Sequence, residues 1–375
     1  MKKYLLGILA VIAMTSCVKD QLVHTGMSGA ITFNAPFILN VTNRAAEDPS
    51  ITTGSIDAFD VWGFMNGNGG IVFDQKRVVR TGTVEGSDKG IWSYSAPIMY
   101  WFPNRTYRFA ALAPVDNSDI QFELAENGKM SNEGALGTVS FTNKDGQLDL
   151  LYAQPDAIVT GSQDELLANA PIVGLVFKHL LTKVKFSFRN GFQSEYNSMK
   201  VTNIRLKVPT TGSVDLTQTT HPYEWQVSSA YDALTLNFGD VVNVTDPSKG
   251  AHLGIGEVGV CEFERLTIPV KQSANAAPEL IVEFDVELYQ GDEVAIEKNT
   301  RTAKLVFDGS INKIESNGSV SKLTALEQGR GYRINALLSN ENVAEDELLV
   351  IKFDGIRVGE WNDPNNPEED KEIEL

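Results

Sequence analysis

Cys17 is the residue whose chemical role the sequence indicates most clearly. It follows a basic start, a short apolar run and the small pair Thr15 and Ser16. This order is typical of a bacterial secretory signal that ends in a lipobox, where the cysteine thiol is diacylated and the cysteine becomes the new N-terminus. Residues 1–17 are too short to span a bilayer as a stable helix. We therefore predict a precursor anchored to a membrane through acyl chains on Cys17.

The bond between Arg44 and Ala45 is a second place where chemistry is expected. Residues 46–50 are polar and contain a proline, so they should form an exposed connection that a protease can reach. A trypsin-like enzyme cuts after arginine. We therefore predict that this bond is a processing site and that residues 18–44 are a propeptide.

The other reactive side chains show no recognisable catalytic or metal-binding arrangement. The histidines lack metal-ligand spacing, and the sequence has neither a nucleophile elbow nor a phosphate-binding loop. Cys261 is the only other cysteine, so no disulfide is expected in the mature chain. Acidic residues are abundant, so a glycosidase with a pair of catalytic carboxylates stays an open alternative. The spacing of these residues singles out no pair. We expect a non-enzymatic protein with no cofactor and no metal. The four histidines are His24, His179, His221 and His252.

The composition is that of a globular and strongly acidic chain. Among 375 residues, 22% are charged and 42% are hydrophobic, which is ordinary for a folded protein. The net charge of −17 repels phosphate backbones, so nucleic acid is excluded as a partner.

Residues 31–41 form the cleanest period-two segment of the chain. One face carries apolar side chains, and the other is mostly polar. Pro36 cannot donate to a ladder, which predicts a strand at a sheet edge. Because the segment lies between Cys17 and Arg44, we expect it to complete a sandwich temporarily and to be removed later. The inward positions are Ile31, Phe33, Ala35, Phe37, Leu39 and Val41.

The rest of the chain predicts an all-β protein. Many short alternating segments are separated by glycine, proline, asparagine and aspartate turns, and helical periodicity is almost absent, which favours β-sandwiches. One short helix is predicted at residues 163–167, near the expected domain boundary. We predict an N-terminal domain over residues 45–168 and a C-terminal domain over residues 169–375.

Several segments, taken in order, resemble the fimbrillin family of Bacteroidales. They are the lipobox, the strand before residues 43–46, residues 100–103, 107–114, 149–153, 177–186, 201–206 and 329–334, and the closing Gly-Glu-Trp at 359–361. The resemblance covers nearly the whole chain.

The resemblance implies a type V pilus subunit with two tandem transthyretin-like antiparallel β-sandwich domains of Greek-key topology. Such subunits reach the outer membrane as lipoproteins, an arginine-specific protease removes the first strand, and C-terminal strand material of a neighbouring subunit fills the vacated groove. Carried over here, Cys17 is lipidated, Arg44–Ala45 is cut, and the segment at residues 31–41 is removed. The donor residues are Ile351, Phe353, Ile356, Val358, Ile373 and Leu375.

A second role uses the same fold. The chain can be a tip or anchor subunit of the pilus, or a surface lipoprotein adhesin that binds a glycan or a host protein. In either role the expected partners are other pilus subunits, the outer membrane and a surface receptor.

Overall fold

The computed structural model describes residues 28–34, 37–38, 56–66, 70–83, 90–125, 130–131, 134–193, 196–217, 222–227, 230, 232–271, 279–315, 317–340 and 353–360. Within these ranges the protein is almost entirely β. Its first fourteen strands are β1 (Ser28–Ala30), β2 (Thr32–Phe33), β3 (Phe37–Ile38), β4 (Ala58–Met65), β5 (Gly70–Thr83), β6 (Gly90–Tyr94), β7 (Tyr100–Trp101), β8 (Thr106–Ala113), β9 (Ile120–Leu124), β10 (Gly137–Thr142), β11 (Leu151–Ala153), β12 (Ile158–Val159), β13 (Ile172–Val173) and β14 (Val176–His179).

The second half of the chain continues the pattern. Its strands are β15 (Thr182–Asn190), β16 (Ser198–Val208), β17 (Thr211–Asp215), β18 (Glu224–Val227), β19 (Leu234–Gly239), β20 (Val241–Asn243), β21 (His252–Gly254), β22 (Val258–Cys261), β23 (Arg265–Thr267), β24 (Val270–Lys271), β25 (Glu279–Gln290), β26 (Glu293–Val306), β27 (Asn312–Glu315), β28 (Val320–Lys322), β29 (Ala325–Leu326), β30 (Arg330–Leu338) and β31 (Phe353–Glu360). The helical segments are α1 (Gln163–Ala168) and a 3-10 turn (Pro247–Lys249).

The first sandwich packs two sheets against each other. Sheet 1 has the order β3-β14-β11-β8-β4-β5-β6, with β12 on β8, and sheet 2 has the order β18-β17-β10-β9. Trp62 and Leu112 of sheet 1 share a buried cluster with Phe141 and Val214 of sheet 2. Successive side chains of a strand point to opposite faces of the sheet, so every second residue contributes to this inner layer.

Sheet 1 is covered on its second face as well. Phe59, Val61, Phe109 and Ala111 point away from sheet 2 and join another buried cluster, which includes Ile31 of the first described segment. Burial on both faces explains why β4 and β8 are almost continuously apolar rather than alternating.

The second sandwich is built in the same way. Sheet 3 has the order β20-β22-β15-β30-β31-β27-β28, with β23 on β15, and sheet 4 has the order β19-β16-β25-β26, with β21 on β16. Phe186 and Ile334 of sheet 3 pack in one cluster with Leu206 and Phe284 of sheet 4. The fold is therefore all-β with two antiparallel sandwiches, as the sequence predicts. Among the described strands, four pairs are parallel: β2–β13, β3–β14, β15–β30 and β27–β31.

Strand pairing crosses the domain boundary predicted at residue 168. Strand β14 pairs with β11, β17 pairs with β10, and β18 pairs with β17, so residues 176–179, 211–215 and 224–227 extend sheets whose other strands precede the boundary. The division into residues 45–168 and 169–375 stays a prediction. The helix expected at residues 163–167 is present as α1, where Ser162 and Glu165 form a reciprocal capping box.

The described ranges contain no helix with the length and apolar character needed to cross a bilayer.

Candidate functional site

The structure describes only some of the residues to which the sequence assigned a role. The side chains of Ile31, Phe33, Phe353, Ile356 and Val358 are described, and Phe37 is described through the backbone pairing of β3. The remaining assigned positions lie outside the described residues. They are Cys17, Ala35, Leu39, Val41, Arg44, Ala45, Ile351, Ile373 and Leu375.

The first described segment, which comprises residues 28–34 and 37–38, lies along an edge of the first sandwich. Strand β1 pairs with β7, β2 pairs with β13, and β3 pairs with β14 as the last strand of sheet 1. The backbone N–H of Ile31 donates to Met99 O at 2.8 Å, and that of Asn34 donates to Val173 O at 3.0 Å. The sequence predicted one unbroken strand over residues 31–41. Within that range the structure describes two short strands, β2 and β3, which pair with different partners, and β1 precedes the range.

The side chains of this segment alternate between core and solvent. Ile31 is 0% exposed and Phe33 is 6% exposed, whereas Thr32 and Asn34 between and beside them face solvent. The Tyr94 hydroxyl donates to the Ile31 carbonyl at 2.9 Å, which ties the segment to β6. Burial raises the pKa of Tyr94, so its hydroxyl stays protonated and able to donate at neutral pH.

Phe33 lies inside a group of aromatic rings. Its ring centroid is 5.8 Å from that of Phe59, 5.7 Å from Phe73, 6.0 Å from Tyr94 and 6.3 Å from Phe109. Three of these four contacts are edge-to-face, an arrangement that adds to the stabilisation from buried area. Removal of the segment would therefore open an apolar, aromatic slot on the second face of sheet 1.

The start of the slot admits only a glycine. Gly29 has a φ of +69°, and a Cβ built there would lie 2.6 Å from the Cβ of Ala170. Both the left-handed backbone and the close approach exclude a larger residue. The pairing of β1 with β7 shifts register between Ser28 and Ala30, the two residues that flank this glycine.

The C-terminal strand assigned as donor occupies the middle of its own sheet. Strand β31 lies between β30, with which it is antiparallel, and β27, with which it is parallel. Phe353 is 6% exposed, and Ile356 and Val358 are 0% exposed within the core of the second sandwich. These residues must leave two neighbouring strands before they can pair elsewhere.

The described titratable residues support structural roles. His179 is buried, as its apolar strand predicts, and its Nδ1 lies 2.6 Å from Asp149 Oδ2. Burial raises the pKa of the Cys261 thiol to about 12, so this thiol is protonated and inert at neutral pH. His24 and His221 lie outside the described residues. Within those residues, no three histidine, cysteine or acidic side chains are arranged to hold a metal ion.

Several residues of the slot were missed by sequence reasoning. Tyr94, Met99, Ala170 and Val173 all contact the first segment, yet they come from two distant parts of the chain. An aromatic-rich stretch was visible around residues 91–103, but nothing in it indicated which strand it would touch.

These features define a class of protein: an all-β, two-sandwich chain whose first described segment fills an apolar slot at a sheet edge. A family model described as fimbrillin-like matches residues 43–344. The chain belongs to this family, whose members are structural rather than catalytic proteins.

The solved structures to which this chain is similar share little sequence identity with it. A fimbrial protein from Bacteroides vulgatus is 13% identical, with a TM-score of 0.49 over 81% of this chain and 92% of that one. A fimbrilin from Porphyromonas gingivalis is 12% identical, with a TM-score of 0.46 over 89% of this chain and 98% of that one. A comparison with curated protein sequences gives no match.

Proposed function

We propose that this protein is a structural subunit of a type V pilus that is exported as a lipoprotein and polymerised by protease-triggered strand exchange. Lipid on Cys17 anchors the precursor to the outer membrane, cleavage at Arg44–Ala45 releases the first segment, and strand material from another subunit takes its place in the fimbrium. Family membership supports the coarser statement that the chain is a fimbrial subunit of the cell surface that assembles with other subunits.

The observation that carries this proposal is the burial of the first segment at a sheet edge. A segment that pairs at an edge can be exchanged without opening the remaining strands, and the occupied edge blocks premature pairing with another chain. Ile31 and Phe33 together contribute roughly 3–6 kcal/mol at about 1.5–3 kcal/mol each. A cut segment is therefore held in place, and exchange must be concerted, with the new strand pairing as the old one leaves.

The processing step is tested by the variant Arg44→Ala expressed in cells that assemble pili. The expected result is lipidated, uncut monomer at the surface and no polymer, because the tethered segment keeps its slot. N-terminal sequencing of the surface protein and electron microscopy of the fibres measure this. Arg80→Ala is a matched control, since Arg80 is an exposed arginine in β5. Normal fibres from Arg44→Ala would refute the processing site.

A second candidate function is a tip or anchor subunit, or a surface lipoprotein adhesin that binds a glycan or host protein. The two-sided pairing of β31 favours it, because a subunit that donates no strand has no need for a free C-terminal strand. Deletion of residues 361–375 separates the roles. Incorporation into fibres without these residues supports the tip role, an uncut N-terminus on purified cells supports the anchor role, and loss of incorporation supports the stalk role.

A further inference from the structure

A pocket opens at the end of the first sandwich, on the face of sheet 1 opposite the slot. It has a volume of about 200 Å³ and lies between β4, β5, the start of β9 and the loop at residues 114–117. Phe122, Ile120, Val115 and Pro114 give it an apolar wall, and Asp60, Gln75, Asp116 and Asn117 give it a polar one. Pockets for drug-sized ligands measure about 300–1,000 Å³, so this smaller pocket suits a smaller molecule.

The polar wall depends on a bulge in β5. Val61 pairs with Lys76 and Gly63 with Phe73, so that two residues of β5 oppose Trp62 alone. Gln75 lies in this bulge with a φ of +48°, and its Nε2 donates to Asp60 Oδ2 at 3.3 Å. A bulge redirects a side chain that a regular strand would place elsewhere. Here it brings an amide to the pocket.

Arg77 links the two carboxylates of the pocket. Its Nε donates to Asp60 Oδ1 at 2.6 Å, and one of its terminal nitrogens donates to Asp116 Oδ1 at 2.9 Å. The hydrogen bond from Arg77 lowers the pKa of Asp116, which keeps this exposed carboxylate ionised. Two negative charges surround one positive charge, so the pocket carries a net charge of −1 and disfavours anions.

The pocket therefore combines hydrogen-bonding groups with an apolar surface. The Asn117 Oδ1 accepts the Asp119 backbone N–H, which orients its amide. Trp62, 1% exposed, lines the pocket, and its Nε1 donor has no acceptor among the described residues. Carboxylate and amide groups beside an aromatic ring match a pyranose, which has hydroxyl groups on its rim and C–H groups on its faces.

We propose that this pocket binds a single pyranose ring of a neutral glycan, with the ring face against Phe122 and Val115 and the hydroxyl groups on Asp116, Asn117 and Gln75. The site is separate from the slot of the first segment, so it does not rest on strand exchange.

The test uses the full chain with Cys17→Ala, which prevents lipid attachment and keeps the protein monomeric for NMR. The probes are the methyl glycosides of glucose, galactose, mannose, fucose and N-acetylglucosamine, studied by saturation-transfer NMR and titration. At least one glycoside should bind saturably, with a dissociation constant on the order of 1 mM, because a single ring has few atoms.

Two variants connect binding to the pocket. Asp116→Ala removes an exposed acceptor, and Val115→Trp fills the space, so each should weaken binding at least about tenfold while thermal unfolding stays cooperative. Asp292→Ala removes the same charge from the exposed turn between β25 and β26. This control variant should bind the glycoside with the same affinity as the protein that carries only Cys17→Ala.

Three results would overturn the proposal. They are the absence of saturable binding for every glycoside, binding that is unchanged in both folded pocket variants, and binding of butylamine in place of any glycoside. Each is measured on monomer, so it leaves the outcome of the polymerisation experiments unaffected.

Discussion

Phe33 is the residue that ties the first segment most firmly to the rest of the molecule. Its ring contacts four others, and its neighbour Thr32 faces solvent. Phe33→Ala should lower the free energy of unfolding of the precursor by about 3–5 kcal/mol, because it leaves a cavity between aromatic rings. Urea unfolding measures the loss. Thr32→Ala is the matched control and should change stability by no more than about 0.5 kcal/mol. Equal effects for the two variants would contradict the buried slot.

Cys261 is predicted to be unreactive in the folded protein. Its Sγ accepts the Phe186 backbone N–H at 3.1 Å and donates to Phe263 O at 3.1 Å, and burial raises its pKa to about 12. At pH 8 a thiol-specific reagent should label Cys261 at least about a hundredfold more slowly in the native protein than in urea, since the thiolate is the nucleophile. Rapid labelling of native protein carrying Cys17→Ala would show that this core opens readily.

Single positions were predicted well where the local pattern decides burial. The alternation of Ile31, Thr32 and Phe33 indicated which side chains face inward, and the apolar surroundings of His179 indicated a core histidine. Nothing in the sequence indicated that the partner of His179 is Asp149, thirty residues away. A hydrogen bond between side chains on paired strands depends on sheet register, which the sequence near either residue does not contain.

At the scale of elements, β31 decides how a subunit can donate a strand. If residues 353–358 are the donor, β31 must leave β30 and β27 during assembly. A disulfide between Arg333→Cys and Arg357→Cys, which replace directly opposed residues, should then abolish polymer under oxidising conditions, and reduction should restore it. Gel electrophoresis of protease-treated protein measures polymer.

The single variant Arg357→Cys controls for the loss of the arginine and should polymerise with or without reductant. Full polymerisation of the oxidised double variant would exclude Phe353, Ile356 and Val358 as donor residues.

Strands whose side chains alternate along most of their length can be predicted from the sequence. The alternation within residues 201–208, 280–288 and 332–338 predicts strands, and these residues lie within β16, β25 and β30. The sequence predicts a strand only over residues 302–307, but β26 begins at Glu293, because its exposed first half is held by pairing with β25. Backbone pairing can thus extend a strand beyond the residues whose side-chain pattern predicts it.

At the scale of the whole molecule, the net charge of −17 governs association between copies. Strongly acidic subunits repel one another, and the repulsion is screened over about 30 Å at 0.01 M salt but over about 8 Å at 0.15 M. The initial rate of polymerisation after protease treatment should therefore rise several-fold between these salt concentrations. Light scattering measures it, with sucrose of equal osmolality as the control. A rate that falls with salt would indicate assembly driven by opposite charges.

The sequence by itself determined the fold class, the inward face of the first segment and the expected sites at Cys17 and Arg44–Ala45, because each depends on neighbouring residues. Only the tertiary structure decided which partners the first segment pairs with, that β31 lies between two strands, and that the bulge at Gln75 and the loop at Asp116 meet in one pocket. These features depend on strand order and register, which arise when residues far apart in the chain bury their side chains together.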